Sequence, residues 1–233
     1  MTTPANVLPD TAATDAKTLD RLMRSRFTCR AFLPDLVPSQ TIREIVHMAG
    51  QAASWCNIQP WEVVIASGSK IEDFRTRMLA ETEREPTPDV AFPPGYEGVF
   101  RDRRRETGYA LYTALDIARD DHQRRRAQTD ENFRLFGAPH VAIVTTEAAI
   151  GPYGLVDCGG FIAGFLLAAR AHGVDTAPQA ALARHAALIH ELFEIGPERQ
   201  VVCGISFGYA DRHHPANGFR TRRAPLEEIA RFV

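Results

Sequence analysis

The chain has 233 residues, a formal net charge of −2, and 45% hydrophobic against 24% charged residues. That length can bury one sizeable core and favours one domain over two. The near-neutral balance leaves no overall basic field to hold nucleic acid or an anionic membrane surface, so neither is an expected partner.

Met1 to Ala16 is rich in Thr, Ala, Pro and Asp. It lacks a positive start and an apolar centre, so 1–16 reads as a flexible arm and not as a signal peptide. Lys17 to Arg26 places Leu19, Leu22 and Met23 on one helical face. Phe27 to Phe32 is a short extended piece, and Pro34 and Pro38 mark a loop. Ser39 is the expected N-cap of an amphipathic helix, Thr41 to Ala53, whose apolar side carries Ile42, Ile45, Val46 and Ala49. Trp61 to Ala66 is a strand that Pro60 introduces, and a further helix runs from Ser69 to about Arg84.

Glu85 to Gly98 contains four prolines and is a loop long enough to be functional. Arg101 to Arg126 is a long, charged helical stretch, and 92–130 as a whole reads as lid or substrate-side helices. Pro139 to Thr146 is a strand with an apolar composition that fits burial on both faces. Tyr153 to His172 is a central core helix, with Gly173 placed to end it. Its apolar run Phe161 to Ala169 is too short to span a bilayer. Val174 to Gln179 is extended, Ala180 to Phe193 helical, and Gln200 to Tyr209 a third clear strand. Asp211 to Arg223 is polar loop, and Pro225 opens a terminal helical turn. Strands separated by more numerous helices predict a layered α/β or α+β domain over residues 17–233.

The four cysteines, Cys29, Cys56, Cys158 and Cys203, form no C-x-x-C pair. Their spacing argues against a zinc site or a disulfide framework, and reduced thiols point to the cytoplasm. The histidines form no H-E-x-x-H pattern, and G-x-G-x-x-G, Walker and G-x-S-x-G motifs are all missing.

Four segments carry chemistry. In Arg26-Phe27-Thr28-Cys29-Arg30 the alternation of an extended chain puts Arg26, Thr28 and Arg30 on one face, suited to a phosphate and a neighbouring polar ring. The plain alternative is a solvated basic face. Ser54, Trp55, Cys56 and Asn57 precede Gln59-Pro60-Trp61, a loop able to hydrogen-bond a ligand or to serve only as a helix-to-strand turn. Thr176 to Ala181 is a proline turn entering a helix, whose first amides can donate to a ligand acceptor or only join two elements. Asn217 to Pro225 holds three arginines in four positions, Arg220, Arg222 and Arg223, that either close a phosphate site or form a basic tail.

In this order, with Phe136-Gly137-Ala138-Pro139-His140 and Gly173 to Gln179 between them, these segments resemble the flavin-dependent nitroreductase family across roughly residues 17 to 233. The likeness is nearest to the members that act on nitrobenzoate-like compounds. It implies an α+β fold, an α/β/α sandwich with a mostly antiparallel sheet flanked by helices, in an intertwined homodimer. It further implies FMN as a tightly held cofactor, NAD(P)H as electron donor and a small aromatic acceptor. Arg26 and Thr28 would hold the phosphate end, with Arg220 and Arg222 completing it, and Arg30 would lie near the pyrimidine edge. Ser54, Trp55 and Asn57 would come from the other subunit, and Pro178, Gln179 and Ala180 would face the flavin. The flavin then carries the chemistry without a protein nucleophile. Three positions depart from the family pattern. Thr28 stands where Ser is commoner, Trp55-Cys56 replaces small residues, and Ala180 lies near a position often held by Gly. The Trp55-Cys56 change keeps relatives of altered chemistry in view, namely reductive dehalogenation, enone reduction and flavin fragmentation. A flavin-holding or redox-sensing protein without turnover is the remaining reading.

Overall fold

The computed structural model describes residues 12–233. Of the expected N-terminal arm, residues 1–11 lie outside this range, and Ala12 to Ala16 form the start of helix α1, Ala12–Ser25. A four-stranded sheet is the centre of the fold. It comprises β1 (Glu62–Ser67), β2 (His140–Glu147), β3 (Asp175–Gln179) and β4 (Arg199–Gly208) in the order β1-β2-β4-β3, with every neighbouring pair antiparallel.

Apolar side chains leave both faces of β2, which explains its unbroken apolar run. Val141 and Ile143 face a layer built on α3 (Ser69–Glu81), α7 (Ala180–Ala183) and α8 (Ala186–Phe193), with Ile71, Phe74, Met78, Leu182 and Ile189 buried there. Ala142 and Val144 face the opposite layer, formed by α2 (Ser39–Ala49) and α6 (Pro152–Ala171), with Ile45, Phe161, Phe165 and Phe207 buried. The result is the expected α/β/α sandwich. Helix α6 is long and apolar enough to cross a membrane by composition alone, but its Phe161, Phe165, Ala168 and Ala169 are buried in this layer, as in a core helix.

Two glycines are needed for this packing. A Cβ at Gly164 of α6 would stand 3.3 Å from Ala49 Cα, a tight contact that would push α2 outward by a few tenths of an ångström. Gly173 ends α6 at φ +74°, where the Val174 amide donates to Ala169 O (2.9 Å) and the Gly173 amide to Arg170 O (3.2 Å), a Schellman closure.

Several expected boundaries move. Ser39 is the first residue of α2 and its side chain caps nothing; Pro38 occupies the cap position. The charged stretch Arg101–Arg126 is two helices, α4 (Gly98–Ala114) and α5 (His122–Asp130), because the chain turns at Asp116 (φ 50°) and the Asp121 carboxylate caps α5 through the Arg124 amide. The expected helix Ala180 to Phe193 breaks into α7 and α8 at Arg184-His185. The expected terminal turn is α9, Leu226–Ile229.

Candidate functional site

The extended segment after α1 runs beside β3. Thr28 bridges Thr176 in parallel, and the Cys29 amide donates to Thr176 O at 2.9 Å. Alternation then buries Phe27 and Cys29 and turns Arg26, Thr28 and Arg30 outward. The C-terminal segment meets them there. The Arg30 amide donates to Asn217 Oδ1 (2.7 Å), and Asn217 Nδ2 donates to the carbonyls of Ala31 and Asp211, both at 2.8 Å.

These contacts shape a cleft of about 1020 Å³ whose walls include Arg26, Thr28, Arg30, Pro178, Arg220 and Arg223. Ala163, Leu166 and Leu167 of α6 and the ring of Phe219 give it an apolar side. The Arg220 guanidinium lies 4.0 Å from the Phe27 ring centroid, and that of Arg30 lies 5.4 Å from Phe219. Among the described residues, none of Arg26, Arg30, Arg220 and Arg223 has a carboxylate partner within 4.0 Å. Burial pulls the Arg26 pKa down, with Arg223 adding repulsion, and burial pulls that of Arg30 down. Asp20 also lines the cleft but pairs with Arg24 at 2.8 Å, so four convergent guanidinium groups lack a carboxylate partner among the described residues, which suits a phosphate-bearing ligand with a planar, partly apolar body.

The expected site residues thus separate into groups. Arg26, Thr28, Arg30, Pro178 and Arg220 come together. Arg222 does not: its side chain is 84% exposed and pairs with Glu106 of α4 at 2.7 Å, while Arg223 turns to the cleft in its place. The Gln179 side chain points away from the cleft, which leaves only its backbone to face a ligand. It is buried, with Nε2 donating to Asn132 O at 2.7 Å and Oε1 accepting from the Ser206 hydroxyl. The antiparallel pairing of β3 with β4 sets that orientation, leaving Pro178 on the cleft. Ala180 is exposed at the start of α7, outside the cleft walls.

Ser54, Trp55 and Asn57 lie off this cleft in the same chain. They form a tight turn after α2 in which Cys56, Asn57 and Gln59 have φ of 48°, 59° and 48°, left-handed values rare for residues with side chains. Ser54 Oγ accepts from the Gln59 amide at 2.9 Å, and Trp55 is 63% exposed. Arg223, one of the three arginines in the C-terminal segment, joins the cleft, and Asn217 behind it is a positioning residue outside the expected set. Asn217 was legible only as a neighbour of the arginines, since its role is to join segments far apart in the chain.

An arginine-lined cleft at the edge of an antiparallel sheet, inside an α/β/α sandwich, defines a layered α+β protein with a cleft suited to a phosphate-bearing ligand. The comparisons narrow that class. The model of the nitroreductase family matches residues 23–209. Nitroreductase NfnB of Mycolicibacterium smegmatis is 39% identical over 224 residues, covering 93% of each chain. The 4-nitrobenzoate reductase of Pseudomonas putida is 30% identical, covering 92% of this chain and 95% of that one. The crystal structure of the FMN-dependent nitroreductase NfnB from Mycobacterium smegmatis in complex with NADPH superposes with a TM-score of 0.89 at 36% identity, covering 94% of this chain and 99% of that one. The chain belongs to the nitroreductase family.

Proposed function

We propose that the protein is an FMN-dependent oxidoreductase that passes a hydride from NAD(P)H to a nitroaromatic acceptor, and that it works as a homodimer in the cytoplasm. The observation that carries this reading is the cleft itself: four guanidinium groups free of carboxylate partners among the described residues, in a chain of this family. The NfnB structure is that of an FMN-dependent nitroreductase in complex with NADPH, and the Pseudomonas putida relative is a 4-nitrobenzoate reductase. The four cysteines are free thiols, which fits a reducing compartment.

Arg26, Arg220 and Arg223 bind and neutralise the phosphate, and the Thr28 hydroxyl adds a donor. Arg30, also on the cleft wall, would place a fixed cation near the ring system of a bound flavin and favour its reduced, negatively charged form. Leu166, Leu167 and Phe219 exclude water from one side of the cleft. Ser54, Trp55 and Asn57 come from the second copy of the chain, which explains why they stand off the cleft within one copy. Bound isoalloxazine would supply the hydride chemistry between nicotinamide and acceptor, with solvent furnishing the protons. The chain itself needs only to bind, orient and tune.

The test is an anaerobic titration of the flavin-loaded protein. NADPH bleaches the visible absorbance, and 4-nitrobenzoate restores it without oxygen. A flavin that both NADPH and NADH leave oxidised contradicts the reading.

A further inference from the structure

Asp157 on α6 is only 7% exposed, and no arginine, lysine or histidine among the described residues pairs with it. Both its carboxylate oxygens lie 3.2 Å from the Trp55 amide nitrogen. A buried carboxylate without a cation is costly unless its hydrogen bonds are specific. This one also makes the sole hydrogen bond, among the described residues, between residues 53–59 and another element. All the others, such as the Asn57 amide to Ser54 O at 3.1 Å and the Ile58 amide to Trp55 O at 3.1 Å, stay inside the turn.

One helical turn before Asp157, Tyr153 lies on the same face of α6. Its ring centroid is 5.5 Å from that of Trp55, with the planes tilted by 37°. The backbone and the indole of Trp55 are therefore both set by α6, at positions four residues apart. Two left-handed residues, Cys56 and Asn57, follow immediately and Gln59 is a third, a conformation that persists only where its surroundings hold it. The indole so fixed stays largely exposed.

We propose that Asp157 is a positioning residue that acts through Trp55, fixing its indole as an aromatic wall that selects planar aromatic acceptors. This rests on the flavin-dependent reading above, in which the turn of one copy borders the cleft of the other. Asp157 holds the amide, Tyr153 supports the ring, and the wall adds stacking to the binding of a flat acceptor. A small inorganic acceptor such as ferricyanide gains nothing from that wall.

The test compares kcat/KM for 4-nitrobenzoate with kcat/KM for ferricyanide in the flavin-loaded dimer, for wild type, D157A, D157N, W55A and D157A/W55A. D157A lowers the ratio by about tenfold, chiefly through KM for the nitroarene, the effect of losing one charge-assisted hydrogen bond. D157N, whose amide oxygen still accepts from Trp55, recovers most of the loss. W55A lowers the ratio by a similar factor, and D157A adds nothing further in the W55A background. An unchanged ratio in D157A, or independent effects that multiply in the double variant, overturns the proposal. Should D157A fail to fold, D157E takes its place in the same cycle, since one extra methylene displaces the carboxylate. Flavin content and anaerobic reduction by NADPH are measured first on wild type. A wild-type protein that binds no FMN, or is not reduced, overturns the functional reading instead.

Discussion

The Arg30 amide donates to Asn217 Oδ1 at 2.7 Å, closing one end of the chain onto the other. With its two donor bonds to Ala31 O and Asp211 O, Asn217 satisfies three backbone groups from a buried position. N217A leaves the Arg30 amide and Asp211 O without this partner, while Ala31 O keeps the Asp211 amide at 3.0 Å, and costs about 2 kcal/mol of stability. It also lets Arg30 and Arg220 drift apart, so FMN affinity falls together with Tm. Thermal unfolding and flavin titration of N217A check both.

The cleft arginines and the surface arginine have different consequences. R26A and R220A each remove a charge-assisted bond to the phosphate, weakening FMN binding by about 10- to 100-fold, and more steeply at low salt. R222A changes it little, because Arg222 is held by Glu106 on the surface. Fluorescence titration at two ionic strengths separates these classes.

Two histidines give the fold opposing pH responses. The Val37 amide donates to His140 Nε2 at 2.9 Å, so Nδ1 carries the proton toward Ser67 Oγ at 2.5 Å, and burial pushes the His140 pKa below its ordinary 6.5. Its contribution is complete above pH 6.5 and is lost as pH falls from there through the lowered folded-state value. At His190, Nδ1 faces Ile195 O and Nε2 faces Asp89, so both nitrogens carry protons. Burial pushes its pKa down, but the bonds to Ile195 and Asp89 outweigh this and raise it. That contribution is full below pH 6.5 and is lost as pH rises through the raised folded-state value. Tm against pH shows the acid decline softened in H140Q and the alkaline decline softened in D89N.

The buried Asp175 carboxylate pairs with Arg212 at 2.6 Å and Arg170 at 3.3 Å and accepts from the Ala210 amide at 3.3 Å. Arg212 in turn covers the Phe27 ring behind the cleft, 5.3 Å from its centroid. D175A destabilises the protein by about 3 kcal/mol, the low end for breaking a buried pair because the arginines reach solvent. Urea unfolding of D175A checks the loss.

Burial pushes the Cys29 thiol up to about 12 and those of Cys158 and Cys203 each up to about 11. Thiolate chemistry is closed to all three. Alkylation at pH 8 followed by mass spectrometry leaves these three unmodified in the native protein and modifies them after denaturation.

Much of this was legible in the sequence because it is local. The apolar run Pro139 to Thr146, the alternation at Arg26-Thr28-Arg30 and the glycine stop at Gly173 each express a short-range rule, and each holds in the structure. The sequence leaves placement open where distant segments decide. Arg222 and Arg223 are adjacent and alike in sequence, and only Glu106 on α4 separates their fates. Gln179 reads as ligand-facing until Ser206 and Asn132 claim its side chain from across the sheet. Asp157 gave no signal at all, since its partner is a backbone amide on a turn that precedes β1.

The central claim is that this arginine cleft holds the phosphate of FMN, and parallel titrations with FMN and riboflavin test it most directly. FMN saturating at one per chain, with riboflavin bound at least about 100-fold more weakly, is the predicted result. Equal affinity for the two flavins, or no uptake of FMN, would contradict it.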